Sequence, residues 1–171
     1  NKGEVASVVT GCWIGPSIKK AEDQSGKWAV AAFPKMANNK DSVNASSLGG
    51  AGWYALKNVG NTDMAVDFLG KTFGSSVDLM NDLADSITLV STLNKAAEAP
   101  NYSKGNDFFG GQEIFADFAK WTGEVPSVNY SLHTYAIEDI MTEAVQAILG
   151  GADIDSTLQS FQTQIESAVA Q

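Results

Sequence analysis

The stretch VVTGCWIGPSI, residues 8–18, places a tryptophan between an apolar run and a Gly-Pro break. A second apolar run, WAVAAFP, covers residues 28–34. Continuous apolar runs that end at turn residues are typical of strands buried on both faces. The sequence therefore predicts that residues 5–12 and 28–34 are neighbouring strands of one sheet, with a short helix after Pro16 between them.

A long polar loop follows the second predicted strand. Residues 36–50, MANNKDSVNASSLGG, are rich in turn formers, and loops of this length in compact domains are often functional. The loop leads into AGWYALKNVG, residues 51–60, a third predicted strand. Gly49 and Gly50 leave the backbone bare just before Trp53, which permits close approach of another group.

The chain after Asn61 shows helical periodicity. Two segments with caps at Thr62 and Ser76 come first, and the apolar stripes that we expect to form the core continue to the end of the chain. These stripes are Ala65, Phe68, Leu69 and Phe73; Met80, Leu83, Ala84 and Ile87; Ile114, Phe115 and Phe118; Ile137, Ile140, Met141, Ala144, Val145, Ile148 and Leu149, stopped by Gly150 and Gly151; and Ile154, Leu158, Phe161, Ile165 and Val169. The predicted class is α/β, a small sheet packed by about five or six helices, with a helical C-terminal half.

The charge of the chain limits its partners. All 11 basic residues are lysine, the 20 acids give a net charge of −9, and residues 1–60 carry +3 whereas residues 61–171 carry −12. Without arginine, planar bidentate recognition of phosphate is lost, and the acidity repels nucleic acid. We expect no nucleic-acid partner.

The residues suited to metal or covalent chemistry are few. Cys12 is the only cysteine and His133 the only histidine, which excludes an internal disulfide and a histidine-rich metal site. We therefore expect no metal and no other cofactor. The chain lacks an initiator methionine and enters a strand pattern almost at once, so we expect it to be a piece of a longer precursor.

Aromatic residues next to Gly, Pro, Ser or Asn are the most unusual feature of the sequence. They are Trp13, Trp53 with Tyr54, Tyr102, Tyr130 and Tyr135. Such placement suits stacking on a flat apolar ligand face, as sugars offer, with the polar tip free to hydrogen-bond at the rim. The alternative is that each ring plugs the end of a small sheet.

Two other functions remain open on the residues. Glu138 and Asp139 adjoin on a predicted helix, but neighbouring helical residues point about 100° apart, so a glycosidase would need a second acid across a cleft. His133, within YSLHTY, is a candidate general base, helix cap or ligand hydrogen-bond donor. The acidic helical faces are either solvated surface or the surface of a protein-interaction module.

Five stretches, in their order along the chain, resemble the C-terminal part of bacterial extracellular solute-binding proteins of the sugar type, the maltose-binding-protein-like receptors of ABC importers. They are GEVASVVTGCWIGPSIKKA, GKWAVAAFPKM, SSLGGAGWYALKN, TDMAVDFLGKTF and AVQAILGGADIDSTLQSFQTQIESAVAQ. The resemblance implies the type II periplasmic-binding-protein fold, in which two α/β lobes close around a sugar without catalysis. It also implies a sugar or oligosaccharide ligand and an ABC importer permease as partners.

The resemblance assigns the site residues. Trp13 matches the family aromatic that stacks on the sugar, and Gly49, Gly50 and Trp53 match the loop before a strand that crosses between the lobes. A further family aromatic falls on Ile137 here, and Tyr135 is its substitute.

The resemblance also implies an organisation and a location. Residues 1–58 and 109–171 would belong to the C-terminal lobe, and residues 59–108 would belong with the other lobe. We expect a monomer, a periplasmic protein or a lipoprotein at the extracellular face of the membrane, with a signal or lipid anchor encoded upstream. Because half a receptor has half a cleft, we expect weak or undetectable sugar binding by this chain alone.

Overall fold

A computed structural model describes residues 2–127 and 130–170, and helices make up 52% of it. The chain divides into two compact units, Asn1–Pro126 and Ser127–Gln171. The α-helices of the first unit are α1 (Gly15–Lys19), α2 (Thr62–Lys71), α3 (Val77–Ile87) and α4 (Ile114–Glu124). Those of the second unit are α5 (Thr134–Leu149) and α6 (Ile154–Val169).

The predicted sheet is absent from residues 2–127 and 130–170, so the α/β class with a small sheet packed by helices is wrong for this structure. Residues 5–12, 28–34 and 51–60 do not form strands; β pairing in the described chain is limited to an isolated antiparallel bridge between Asn106 and Gln112. An apolar run can supply the faces of a strand but not its hydrogen-bonding partner. Val8 and Val9 accordingly remain 54% and 73% exposed.

The predicted short helix between the apolar runs is confirmed as α1. Pro16 lies in its first turn, where the missing N–H of proline leaves no intrahelical hydrogen bond unmade. Ile18 on this helix is buried in the core of the first unit. The helix therefore ties the end of the first apolar run to that core.

The next two helices begin at capping side chains. Ser76 caps α3 as predicted, and its Oγ accepts a hydrogen bond from the Leu79 N–H at 3.2 Å. The cap of α2 is Asn61 instead of Thr62, because the Asn61 Oδ1 accepts the Met64 N–H at 3.0 Å. Three residues predicted to face the core do not: Ala65 is exposed, Phe68 is 58% exposed and Ile87 is 50% exposed.

The core of the first unit packs α3 and α4 against two 3₁₀ turns, Asn94–Glu98 and Pro100–Ser103. Tyr102 and Ile114 are its largest fully buried side chains. The Tyr102 ring packs 5.8 Å from that of Phe115, and its hydroxyl accepts the Ser91 N–H at 3.1 Å. The buried phenol therefore has a hydrogen-bond partner, as an interior polar group requires.

Three side-chain amides make two contacts that fix distant segments to this core. The Gln112 side chain accepts the Val30 N–H at 2.8 Å and donates to the Val30 carbonyl at 2.8 Å, as a neighbouring strand would. The Asn81 Oδ1 accepts the Asn101 N–H at 2.9 Å, while the Asn101 Nδ2 donates to the Asn81 carbonyl at 2.9 Å. Side chains thus provide hydrogen bonds that a sheet would otherwise supply.

The second unit is a pair of helices, α5 and α6. Gly150 ends α5, as predicted. Asp153 caps α6 by accepting hydrogen bonds from the backbone N–H and the hydroxyl of Ser156, and these bonds lower the pKa of the Asp153 carboxyl. Ala144 is buried, but Val145 and Leu149 are 50% and 82% exposed, so only part of the predicted stripe is covered.

Candidate functional site

Trp13 lies in a 3₁₀ turn, Cys12–Ile14, that runs directly into α1. Its side chain folds back over Gly11, and a Cβ at Gly11 would overlap the indole and lie 3.0 Å from the Leu48 carbonyl oxygen. Only glycine fits at this close approach. The residue nevertheless remains 56% exposed, so the ring is held at the surface with much of its area in solvent.

The glycine pair of the long loop lies beside this tryptophan. Gly49 and Gly50 have φ angles of 78° and 120°, which side-chain-bearing residues rarely adopt. A Cβ at Gly49 would lie 3.9 Å from the Trp13 Nε1, so the loop backbone and the indole are neighbours. The structure therefore brings together Trp13 and Gly49, two of the residues predicted for the site.

Gly11 and Leu48 complete this arrangement and were not predicted. The small residues Thr10 and Gly11 before the tryptophan are the signal in the sequence for Gly11, because a large ring beside glycine often marks close packing. No comparable signal marks Leu48, which contributes a backbone carbonyl close to the Cβ position of Gly11.

Trp53 is also at the surface, 65% exposed, next to Tyr54 at 87%. Its ring stacks on Phe73, with centroids 5.0 Å apart and planes inclined by 27°. Phe73 follows α2 and was predicted only as a core residue. The stack covers part of the indole and leaves the rest accessible.

The remaining aromatic candidates fall into two groups. Tyr102 is 1% exposed in the core, so its prediction as a ligand-stacking residue at a loop mouth is wrong. Tyr130 and Tyr135 belong to the second unit, where they are 67% and 75% exposed, and Tyr135 lies in the first turn of α5. Val128 and Asn129, which precede Tyr130, lie outside the described residues.

The glycosidase alternative lacks an opposed acid. Glu138 and Asp139 are exposed on α5, and Glu138 borders a shallow depression of about 300 Å³ with Met141, Thr142, Val145 and Gln146. The lining residues that the structure describes include no second carboxylate, whereas glycoside hydrolysis uses two. His133 stands at the start of α5, but its side chain makes no capping hydrogen bond.

The described residues contain neither a candidate metal site nor a candidate membrane-spanning helix. Within residues 2–127 and 130–170, no group of three or more His, Cys, Asp and Glu side chains is arranged to hold a metal ion. No helix in the described part of the chain is both long enough and apolar enough to cross a bilayer.

Comparison with known proteins gives two matches. The model of a family described as bacterial extracellular solute-binding protein matches residues 1–110, which include Trp13, Gly49, Gly50 and Trp53. A lactose-binding protein of Rhizobium radiobacter is 36% identical over 162 residues, which are 95% of this chain and 38% of that protein. The chain thus spans well under half the length of this relative. No solved structure matches the chain significantly.

Both matches are described as binding proteins. They agree with the open arrangement of Trp13, which presents a ring surface beside glycine backbone. A binding role therefore fits the chain better than a catalytic one.

Proposed function

The chain belongs to the bacterial extracellular solute-binding proteins, and on that premise we propose that it forms part of the sugar site of an ABC importer receptor. The observation that carries the proposal is the Trp13 indole, packed over Gly11 beside the Gly49 backbone and 56% exposed. An aromatic ring held in place with an accessible surface is suited to stacking on the apolar face of a sugar. The lactose-binding relative makes lactose the first ligand to test.

Each predicted site residue has a role in this proposal. Trp13 stacks on the sugar, and Gly49 and Gly50 let the loop backbone approach it closely enough to hydrogen-bond hydroxyl groups. Trp53, on the same loop, supplies a second stacking surface. Tyr135, in the first turn of α5, remains a predicted additional stacking residue.

The absence of arginine favours a neutral ligand. A sugar acid or sugar phosphate would find no planar bidentate partner in the chain, whereas neutral mono- and disaccharides need none.

The receptor in this proposal has two lobes, and this chain provides only part of the cleft. The division into residues 1–58 with 109–171 in one lobe and residues 59–108 with the other stays a prediction, and in the first unit Ile18, Met80 and Ile114 share one core. A sugar that touches both lobes shifts the receptor toward its closed state, in which it delivers the sugar to the permease outside the cytoplasmic membrane. The chain alone is then a weak binder, because one lobe offers only some of the contacts.

The test is a lactose titration of the ¹⁵N-labelled chain, followed through the indole N–H signals of its four tryptophans. We expect saturable shifts at Trp13 and Trp53. Trp28, whose Nε1 donates to Gln24 at 2.8 Å, and Trp121, which packs edge-on against Phe118, serve as internal controls that stay unchanged. Trp13→Ala should abolish the response, whereas Trp121→Phe should preserve it.

Two results would contradict the proposal. One is the absence of any shift at Trp13 and Trp53 even at concentrations of lactose and other neutral sugars high enough to reveal weak binding. The other is shifts of Trp28 and Trp121 as large as those of Trp13 and Trp53, because such a response would not be specific to the proposed site.

A further inference from the structure

The stack between Trp53 and Phe73 joins the segment of residues 51–56 to the turn that follows α2. The two ring centroids are 5.0 Å apart and the planes are inclined by 27°, which is a stacked geometry. Trp53 lies in residues 51–56, which have no regular secondary structure. Its ring therefore depends on side-chain contacts, not on a strand, for its position.

Phe73 is itself held firmly. It lies in the turn that follows α2, where the Gly74 N–H donates to the Leu69 carbonyl and the Ser76 N–H to the Thr72 carbonyl, both at 2.9 Å. The ring is partly buried against the core cluster that contains Met80. Phe73 thus lies in a hydrogen-bonded turn, packs against the core and also contacts the Trp53 ring.

We propose that Phe73 is a positioning residue that fixes the Trp53 ring for ligand stacking. This inference rests on the proposed function, because Phe73 itself does not contact the sugar. It affects sugar affinity only through the position of the Trp53 ring. One face of the indole packs on Phe73, and the part that remains exposed, 65% of the residue, is presented to the sugar.

The expected effect follows from side-chain ordering. A ring that is already fixed loses little rotational freedom when a ligand stacks on it, whereas a free ring must be immobilised on binding. Losing this ordering should weaken lactose binding by about two- to tenfold. The mobility of Trp53 should increase even when no sugar is present.

The experiment compares three substitutions of Phe73 in the full 171-residue chain. Phe73→Leu keeps most of the apolar volume against the core but removes the stacked ring, Phe73→Tyr keeps the ring, and Phe73→Ala removes both. The readouts are the ¹⁵N relaxation order parameter of the Trp53 indole N–H and the lactose dependence of its chemical shift. Phe68→Ala is the matched control, since Phe68 lies on α2 and is 58% exposed.

We expect Phe73→Leu and Phe73→Ala to lower the Trp53 order parameter and weaken the lactose response, with Phe73→Tyr and Phe68→Ala close to the parent chain. A Trp53 order parameter unchanged in Phe73→Leu would overturn the inference, whether or not sugar binds. So would a lowered order parameter with lactose affinity unchanged.

The two proposals fail in different ways. Absence of a lactose response at Trp13 in the parent chain counts against the proposed function. A normal response at Trp13, together with indifference of Trp53 to every change at Phe73, counts against the positioning role alone.

Discussion

The aromatic residues of the core and the two tryptophans at the surface lie in opposite environments within the same unit. Tyr102 and Phe115 are 1% and 3% exposed and contact one another, whereas Trp13 and Trp53 are 56% and 65% exposed. Tyr102 lies in a 3₁₀ turn and Phe115 in α4, and the core encloses both rings. The exposed rings come shortly after glycine residues in the sequence, and each packs against a neighbour over only part of its surface.

The difference separates stability from binding. Burial of a large apolar side chain stabilises a fold by about 1.5–3 kcal/mol, so the core rings and aliphatic residues contribute most of what holds this unit together. A ring left largely in water contributes less to folding, and its apolar area remains available to a ligand. Substitutions in the two regions should therefore have effects of different size and kind.

The largest loss of stability is expected for Ile114→Ala. Ile114 is fully buried at the start of α4, and truncation leaves a cavity in the core, which should lower the free energy of unfolding by about 2–5 kcal/mol. Denaturant unfolding measures the change. The matched control is Ile87→Ala on α3, where the side chain is 50% exposed. Equal losses for the two variants would contradict the distinction between buried and exposed apolar residues.

A smaller loss is expected for Gln112→Ala. This substitution leaves the N–H and the carbonyl of half-buried Val30 without their partner, at a cost of about 1–3 kcal/mol. Hydrogen exchange of the Val30 amide should accelerate, while the buried Ala96 amide stays protected. Gln112→Glu should be no better, because its carboxylate cannot donate to the Val30 carbonyl or to Asp117. Unchanged Val30 exchange in both variants would refute the role given to this side chain.

The smallest effect on stability is expected for Gly11→Ala, beside the exposed Trp13. The new methyl group displaces the Trp13 indole, but the ring is at the surface, so the free energy of unfolding should change by only about 0.5 kcal/mol. The Trp13 indole signal should shift strongly and its lactose response should fall. Gly123→Ala is the control, because a Cβ there meets open space within α4 and should favour the helix. An unmoved Trp13 signal in Gly11→Ala would argue against the close packing.

The sequence predicted the helices better than the sheet, and the reason is physical. A helix satisfies its hydrogen bonds within one segment, so the Ser76 cap and the Gly150 stop were sufficient to place α3 and the end of α5. A strand needs a partner that its own residues do not encode. The apolar run at residues 28–34 was interpreted as a strand, but at Val30 the Gln112 side chain supplies the pairing.

The positions of some candidate site residues were also predictable, although their role in binding remains a prediction. The exposed tryptophans followed from aromatic residues beside glycine, and the resemblance to solute-binding proteins named Trp13 and Gly49, which the structure places side by side. The same pattern misassigned Tyr102, because a local sequence does not reveal that the core closes over a ring. Phe73 showed no local sign of its contact with Trp53, since the two are brought together by the fold.

The amide contact between Gln112 and Val30 has a consequence for how the chain reaches its folded state. The contact joins residues 82 positions apart, whereas the Asn81–Asn101 pair joins residues 20 apart. Because the entropy of loop closure grows by about 0.6 kcal/mol for each doubling of length, the longer closure costs only about 1.2 kcal/mol more. The effect on the folding rate is larger, because contacts between residues far apart in the sequence slow folding. During refolding, Asn101 should therefore acquire amide protection before Val30 does.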